Sequence, residues 1–180
     1  MPIEAWLRGP VSGVPPLLVP VAHMLLHALE DTTEAVQGLS VDQIWARPAG
    51  GASIGFHVRH LMGALDRLFT YARGEGLTTD QLRALKAEGD AGDPPADALA
   101  LIERLTGATS RAIDQLRATD PSTLLEPRAV GRQHLPSTVL GLLVHGGEHS
   151  ARHAGQAMTM RRGGLPGPGG DGGGEVGPRG

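Results

Sequence analysis

PSTVLGLLVHGGEHSARHAGQAMTMRR, residues 136–162, is a helical pattern that carries His145, His149 and His153 at successive four-residue steps. Residues four apart lie one above the other on a helix, about 6 Å apart, so neighbouring imidazoles can share one ion. All three cannot, because His145 and His153 are separated by about 12 Å of helical rise, while metal–imidazole bonds are only about 2.0–2.1 Å long. On a helical wheel Val139, Leu142, Gly146, Ala157 and Met160 form the arc expected to meet a core. His149 and His153 fall beside or inside it, whereas His145 falls on a polar flank with Glu148, Arg152 and Thr159. A lone helical histidine is ordinarily a partly buried packing residue. Two inward ones at this spacing make His149 and His153 a candidate metal pair.

Working outward, residues 96–118 show Leu99, Ile102, Leu105, Ile113 and Leu116 spaced for one buried helical face, with no cluster of ligands. Between them and the last helix, ATDPSTLLEPRAVGRQHLP reads as a long irregular connection containing Arg128 and Arg132; solvated arginines near a turn are its simplest reading. Residues 77–89 predict a short helix capped by Thr78 or Thr79 and stopped by Gly89, followed by a DAGDPP linker. Ser53 stands at the N-cap of a longer helix that Gly74 closes, with Ile54, Val58, Leu61, Leu65, Leu68 and Phe69 on its apolar arc. This helix offers His57 at the border of the arc and His60 further round, on a line with Ala64, Arg67 and Tyr71, and the pattern does not choose between them.

The first long helix is expected over residues 17–38, with Pro20 tolerated in its first turn and Gly38 as its stop. It carries a rival four-apart pair, His23 and His27, but Glu30 and Glu34 continue the same stripe opposite Ala22, Leu25 and Leu29, which is the signature of a solvated face. Residues 1–16 read as an extended, proline-rich arm bearing Trp6 and Leu7. Residues 163–180, with ten glycines and three prolines, read as a disordered tail. No period-two run of β-branched residues appears, so the expected fold is all-α: a single domain over residues 17–162 built as a four-helix bundle.

Composition narrows the function. The chain has no cysteine, which excludes disulfides, a thiolate zinc site and a cysteine nucleophile of its own. Its formal net charge of −3 comes from 16 Lys and Arg against 19 Asp and Glu without a basic block, arguing against nucleic acid or an anionic membrane as partner. The N-terminal stretch has no leader pattern, and no apolar run is long enough to span a bilayer, so a soluble, cytoplasmic protein is expected.

With SIGFHVRHLMGALDRL followed, after a further helix, by HGGEHSARHAGQ, the chain resembles the DinB-like metal-binding four-helix bundles over most of residues 17–162. Such proteins place one metal-binding histidine on the second helix and an H-x-x-x-H pair on the last, often just before Gly-Gln; His149, His153 and Gly155-Gln156 match here. The second-helix ligand usually precedes a Leu some seven residues after the Ser or Thr that starts the helix, so the resemblance selects His60, followed by Leu61, over His57. Three neutral imidazoles on a divalent ion (zinc, nickel or iron) would leave at least one open coordination position.

Characterised relatives are described as transferases and isomerases that use low-molecular-weight thiols, and the resemblance implies a small thiol entering from solvent. Arg67 and Tyr71 are then candidates to hold its anionic group, and Glu148 and Gln156 are candidate acceptors for a ring N–H of the ligands. In a second reading the ion is structural, pinning the second helix to the last, with a fourth ligand from His57 or His145. The resemblance also implies a homodimer, in which the apolar arm around Trp6 and Leu7 would pack on the other subunit; its alternative is to fold back over its own bundle.

Overall fold

Four long amphipathic segments fold as helices and pack side by side: α1 (Val19–Val36), α3 (Ile54–Ala72), α5 (Ala98–Ala118) and α6 (Val139–Arg162). The structure, a computed structural model, describes residues 3–163. The glycine-rich stretch expected to be disordered lies, from residue 164 onward, outside the described residues. Two short helices, α2 (Val41–Trp45) and α4 (Thr79–Lys86), and a hairpin of β1 (Pro127–Val130) and β2 (Leu135–Thr138) complete the described chain. Helices α3 and α1 each pack against both α5 and α6 and lie diagonally across from one another.

The helix starts obey local chemistry. Ser53 Oγ accepts from Phe56 N at 3.0 Å to open α3, Asp97 from Ala100 N at 2.8 Å to open α5, and Thr138 from Gly141 N at 3.0 Å to open α6. Each satisfies a donor that the first helical turn leaves unpaired. Ser40 with Gln43, and Thr78 with Gln81, make reciprocal capping boxes on α2 and α4. Gly74, at φ 79°, turns the chain out of α3.

The interior is layered. Leu18, Leu25, Leu65, Phe69, Leu116 and Leu143 form the largest cluster, and Val36, Ile44, Ile54, Val58, Leu101 and Ala157 fill the other end. Between them lies a thin layer of Ala28, Leu61, Leu105 and Ala154. This middle level is where His60 precedes Leu61 and His153 precedes Ala154, so the histidines of α3 and α6 meet where apolar filling is thinnest. The glycines of HGGEH let the helices approach at the adjoining larger cluster. A Cβ at Gly146 would come within 2.8 Å of Phe69 Cε2 on α3, and one at Gly147 within 2.9 Å of Met24 Cε on α1.

Three local expectations need correction. The chain is not free of strand: β1 and β2 pair antiparallel with Pro127 opposite Thr138 and Val130 opposite Leu135, inside the connection read as irregular. Residues 136–138 accordingly belong to β2, and α6 begins at Val139. Arg128 is not a solvated arginine: its Nε donates to Ala72 O at 2.9 Å, covering a carbonyl at the C-terminus of α3, where a cation is favoured by the helix dipole. The N-terminal residues are not simply extended either. A 3₁₀ turn, Ala5–Leu7, leads into a path along α1 and α5, held by Arg8 NH2 to Glu30 Oε2 (2.8 Å), His23 Nε2 to Gly9 O (2.8 Å) and Arg117 Nε to Ser12 O (2.9 Å). Ala5 and Val14 are buried in this way, whereas Ile3, Trp6, Leu7 and Leu17 remain exposed. Among the described residues no helix is long and apolar enough to cross a membrane.

Candidate metal centre

His60 on α3 and His149 and His153 on α6 each present a ring nitrogen such that the three nitrogens lie within 4.8 Å of one another. Nε2 of His60 and Nε2 of His149 are 3.0 Å apart, and the His153 ring centroid is 4.5 Å from each of the other two. The four-residue step brings His149 and His153 to one face of α6, and the close packing of α3 on α6 supplies the third imidazole. Among the described residues this is the one cluster of three or more His, Cys, Asp or Glu side chains arranged to hold an ion.

His57, the alternative on α3, is nearby. It is only 8% exposed, and its Nδ1 lies 3.0 Å from His153 Nδ1, so it flanks the set through one of its members. In that contact one ring must donate and the other accept. The ring of Phe56 stacks on His60 at 5.4 Å between centroids and meets His57 edge-on, forming an apolar wall beside the imidazoles.

The residue that sequence reasoning missed is Glu88, carried just past the end of α4. Its Oε2 is 2.7 Å from His60 Nδ1, and its Oε1 accepts from Arg67 NH1 at 2.6 Å. A carboxylate only accepts, so Nδ1 of His60 is the donor in that contact, and Nε2 is the nitrogen that faces His149. No periodic signal marks Glu88, because it sits in a polar stretch 28 residues from its partner.

The electrostatics keep the imidazoles in the form a metal needs. Burial, followed by the proximity of His60 and His149, pushes His153 down to about 4 from the usual 6.5. Burial first and His60 second also lower His57, and burial first, then His60 and His145, lower His149. These rings are therefore neutral near pH 7, with lone pairs available to a cation. On His149, Nε2 is the nitrogen turned towards His60, while Nδ1 is buried with no hydrogen-bond partner among the described residues. The donor set suits a divalent metal of borderline softness, and the residues present fit such a group.

The other candidates fall differently. Arg67 is committed to Glu88 and mostly buried, and Tyr71 packs against the cluster of Leu18 and Phe69. Neither is among the residues lining the cavity beside Phe56 or the groove beside His57. Glu148 lies on the surface, paired with Arg152 and with His145 Nδ1 at 3.2 Å, not with a ring N–H of the cluster. Gln156 is exposed and lines an open groove with His57, Arg152 and Met160. On α1, His23 bonds Gly9 O and His27 stands 3.5 Å from Asp31, in keeping with a solvated face. Phe56, which stacks on His60, also lines a cavity of about 380 Å³ with Trp45, Arg47, Ser53 and Gly89.

The sequence profile described as the DinB superfamily matches residues 24–157, a span that contains α3, α5, the Glu88 segment and all three clustered histidines. No curated protein matches the chain.

Proposed function

This chain belongs to the DinB superfamily, and on that premise we propose that it is a cytoplasmic four-helix-bundle protein whose three-histidine metal site activates a low-molecular-weight thiol for S-transfer. The observation that carries the proposal is the cluster itself: three imidazole nitrogens within 4.8 Å, drawn from two helices, with no carboxylate or fourth ring in the set. Such a set leaves a coordination position for an outside ligand. A divalent cation bound there would acidify a coordinated thiol. Because the chain has no cysteine, that thiol must come from solvent.

The protein's own residues supply the rest. His60, His149 and His153 offer ring nitrogens, and Glu88 accepts from His60 Nδ1, on the side away from the cluster. Phe56 shields one side from water. A groove lined by His57, Arg152 and Gln156 lies beside His57, which touches the set through His153.

The test is turnover by the metal-loaded protein with bacillithiol, mycothiol or glutathione and an alkylating electrophile. The expected outcome is activity with at least one thiol that His149→Ala abolishes; equal rates for both proteins with every thiol would sink the enzyme reading. A second reading, in which the ion is structural, is favoured by one observation, the 3.0 Å approach of His57 to His153. A fourth imidazole ligand found by X-ray absorption, with a steep drop in melting temperature on chelation and no turnover, would select it. We also propose a homodimer, supported by the exposure of the apolar side chains Ile3, Trp6, Leu7 and Leu17.

A further inference from the structure

Of the described residues 73–100, Glu88 alone is buried. A polar segment that docks on a bundle ordinarily does so through its apolar side chains, because burying those is favourable and burying a carboxylate is costly unless it is paired. Here the order is reversed. Helix α4 has two leucines available, yet Leu82 and Leu85 are each 40% exposed, while Glu88 is 6% exposed. The carboxylate is tolerated because both oxygens are engaged by α3, with Oε2 on His60 Nδ1 at 2.7 Å and Oε1 on Arg67 NH1 at 2.6 Å. Room for it comes from Gly63, midway between those two residues on α3. A Cβ at Gly63 would collide with Glu88 Oε1 and approach Arg67 NH1 to 2.7 Å.

The remaining ties of this segment are polar and lie near the surface. Gln81 Nε2 donates to Asp66 Oδ2 and Thr70 Oγ1, both at 2.7 Å, Arg59 donates to Asp90 O, and Trp45 Nε1 donates to Ala96 O at 2.8 Å. Glu88 is thus the one buried anchor of the segment, and its anchoring partner is a histidine of the metal cluster. With a cation on the far nitrogen of His60, the Nδ1–H becomes a stronger donor, and the carboxylate in turn raises the basicity of that nitrogen. The two events must then favour each other equally, since coupling between binding and docking is reciprocal.

We propose that Glu88 is the positioning residue of the metal centre, fixing the ring orientation and tautomer of His60, and that through it metal occupancy clamps the α4 segment, residues 75–97, onto the bundle. The proposal rests on the metal-binding reading above. Arg67 and Gly63 serve it, one by holding the second oxygen and the other by leaving space.

The full-length chain is stripped of metal and titrated with zinc, reading affinity and, by hydrogen exchange, the protection of residues 79–90. Glu88→Ala is expected to weaken zinc binding by about 10- to 100-fold, and zinc is expected to slow exchange in residues 79–90 of the wild type but not of this variant. Glu88→Gln, whose amide oxygen still accepts from Nδ1–H, should lie between. Gly63→Ala guards against misfolding as an explanation. Alanine is the better helix former, so weaker zinc binding by a well-folded Gly63→Ala protein points to displacement of the carboxylate. Nitrogen-15 NMR of the metal-free wild type should show His60 protonated at Nδ1, a signature lost in Glu88→Ala. Zinc affinities within twofold of wild type in all three variants, or protection indifferent to zinc, would overturn the role of Glu88 and leave the metal site standing. A wild-type chain that takes up no zinc, nickel or iron would overturn both.

Discussion

The histidines divide by what surrounds them. His149 and His153 are legible in sequence because helical spacing alone puts them on one face next to an apolar arc. His60 and His57 are not distinguishable that way, since both lie near the arc of α3; the resemblance favours His60, and the structure shows why both belong in the account. His60 faces the cluster and Glu88, whereas His57 touches the cluster through His153. The lowered pKa values of His57, His149 and His153 have a measurable consequence. In the unfolded chain His153 takes up a proton near pH 6.5, but in the folded chain only near pH 4. Between those values the unfolded state binds more protons, so stability falls as pH falls, with the loss complete below the folded value. His57 and His149 act in the same direction. Metal-free protein should therefore show a denaturation midpoint that drops from pH 7 to pH 4.5, and His153→Asn should flatten that slope. A midpoint independent of pH over this range in the wild type would refute the lowered pKa values.

At the scale of elements, long helices with caps were readable and short or paired elements were not. Ser53, Thr78 and Gly74 announce their helix ends by side-chain chemistry or by a positive φ, and the structure uses them so. Helix α2 has five residues, too few to show a period, and the hairpin strands have four each, with prolines at 127 and 136 that argue against strand. Their pairing is a tertiary outcome, with Arg128 tying β1 to the end of α3. The glycine pair of α6 was visible as letters, but its role depended on which neighbours approach. Gly146→Ala should raise helix propensity by roughly 1 kcal/mol yet crowd the Phe69 ring, and overpacking of this kind costs about 1–3 kcal/mol. A net loss in thermal stability is expected, measured by the melting temperature with and without metal. An increase would mean that the Phe69 ring yields freely.

For the molecule as a whole, the four long helices follow from amphipathic spacing, whereas the packing of residues 3–15 along α1 and α5 depends on backbone carbonyls and an ion pair that no pattern displays. That path covers Ala5 and Val14 and leaves Trp6 60% and Leu7 57% exposed, the patch on which the proposed homodimer rests. Light scattering should find a dimer of the full chain and a monomer for Trp6→Ser; a monomeric wild type would remove the dimer, and a dimeric variant would move its interface elsewhere. The placement of the imidazoles also sets an order of events. His60 and His149 are 89 residues apart in the chain, on helices that must already be docked for their nitrogens to meet. The three-nitrogen set therefore cannot form until α6 has closed this long loop on α3, so a cation that needs all three nitrogens would be seated only after these helices have docked.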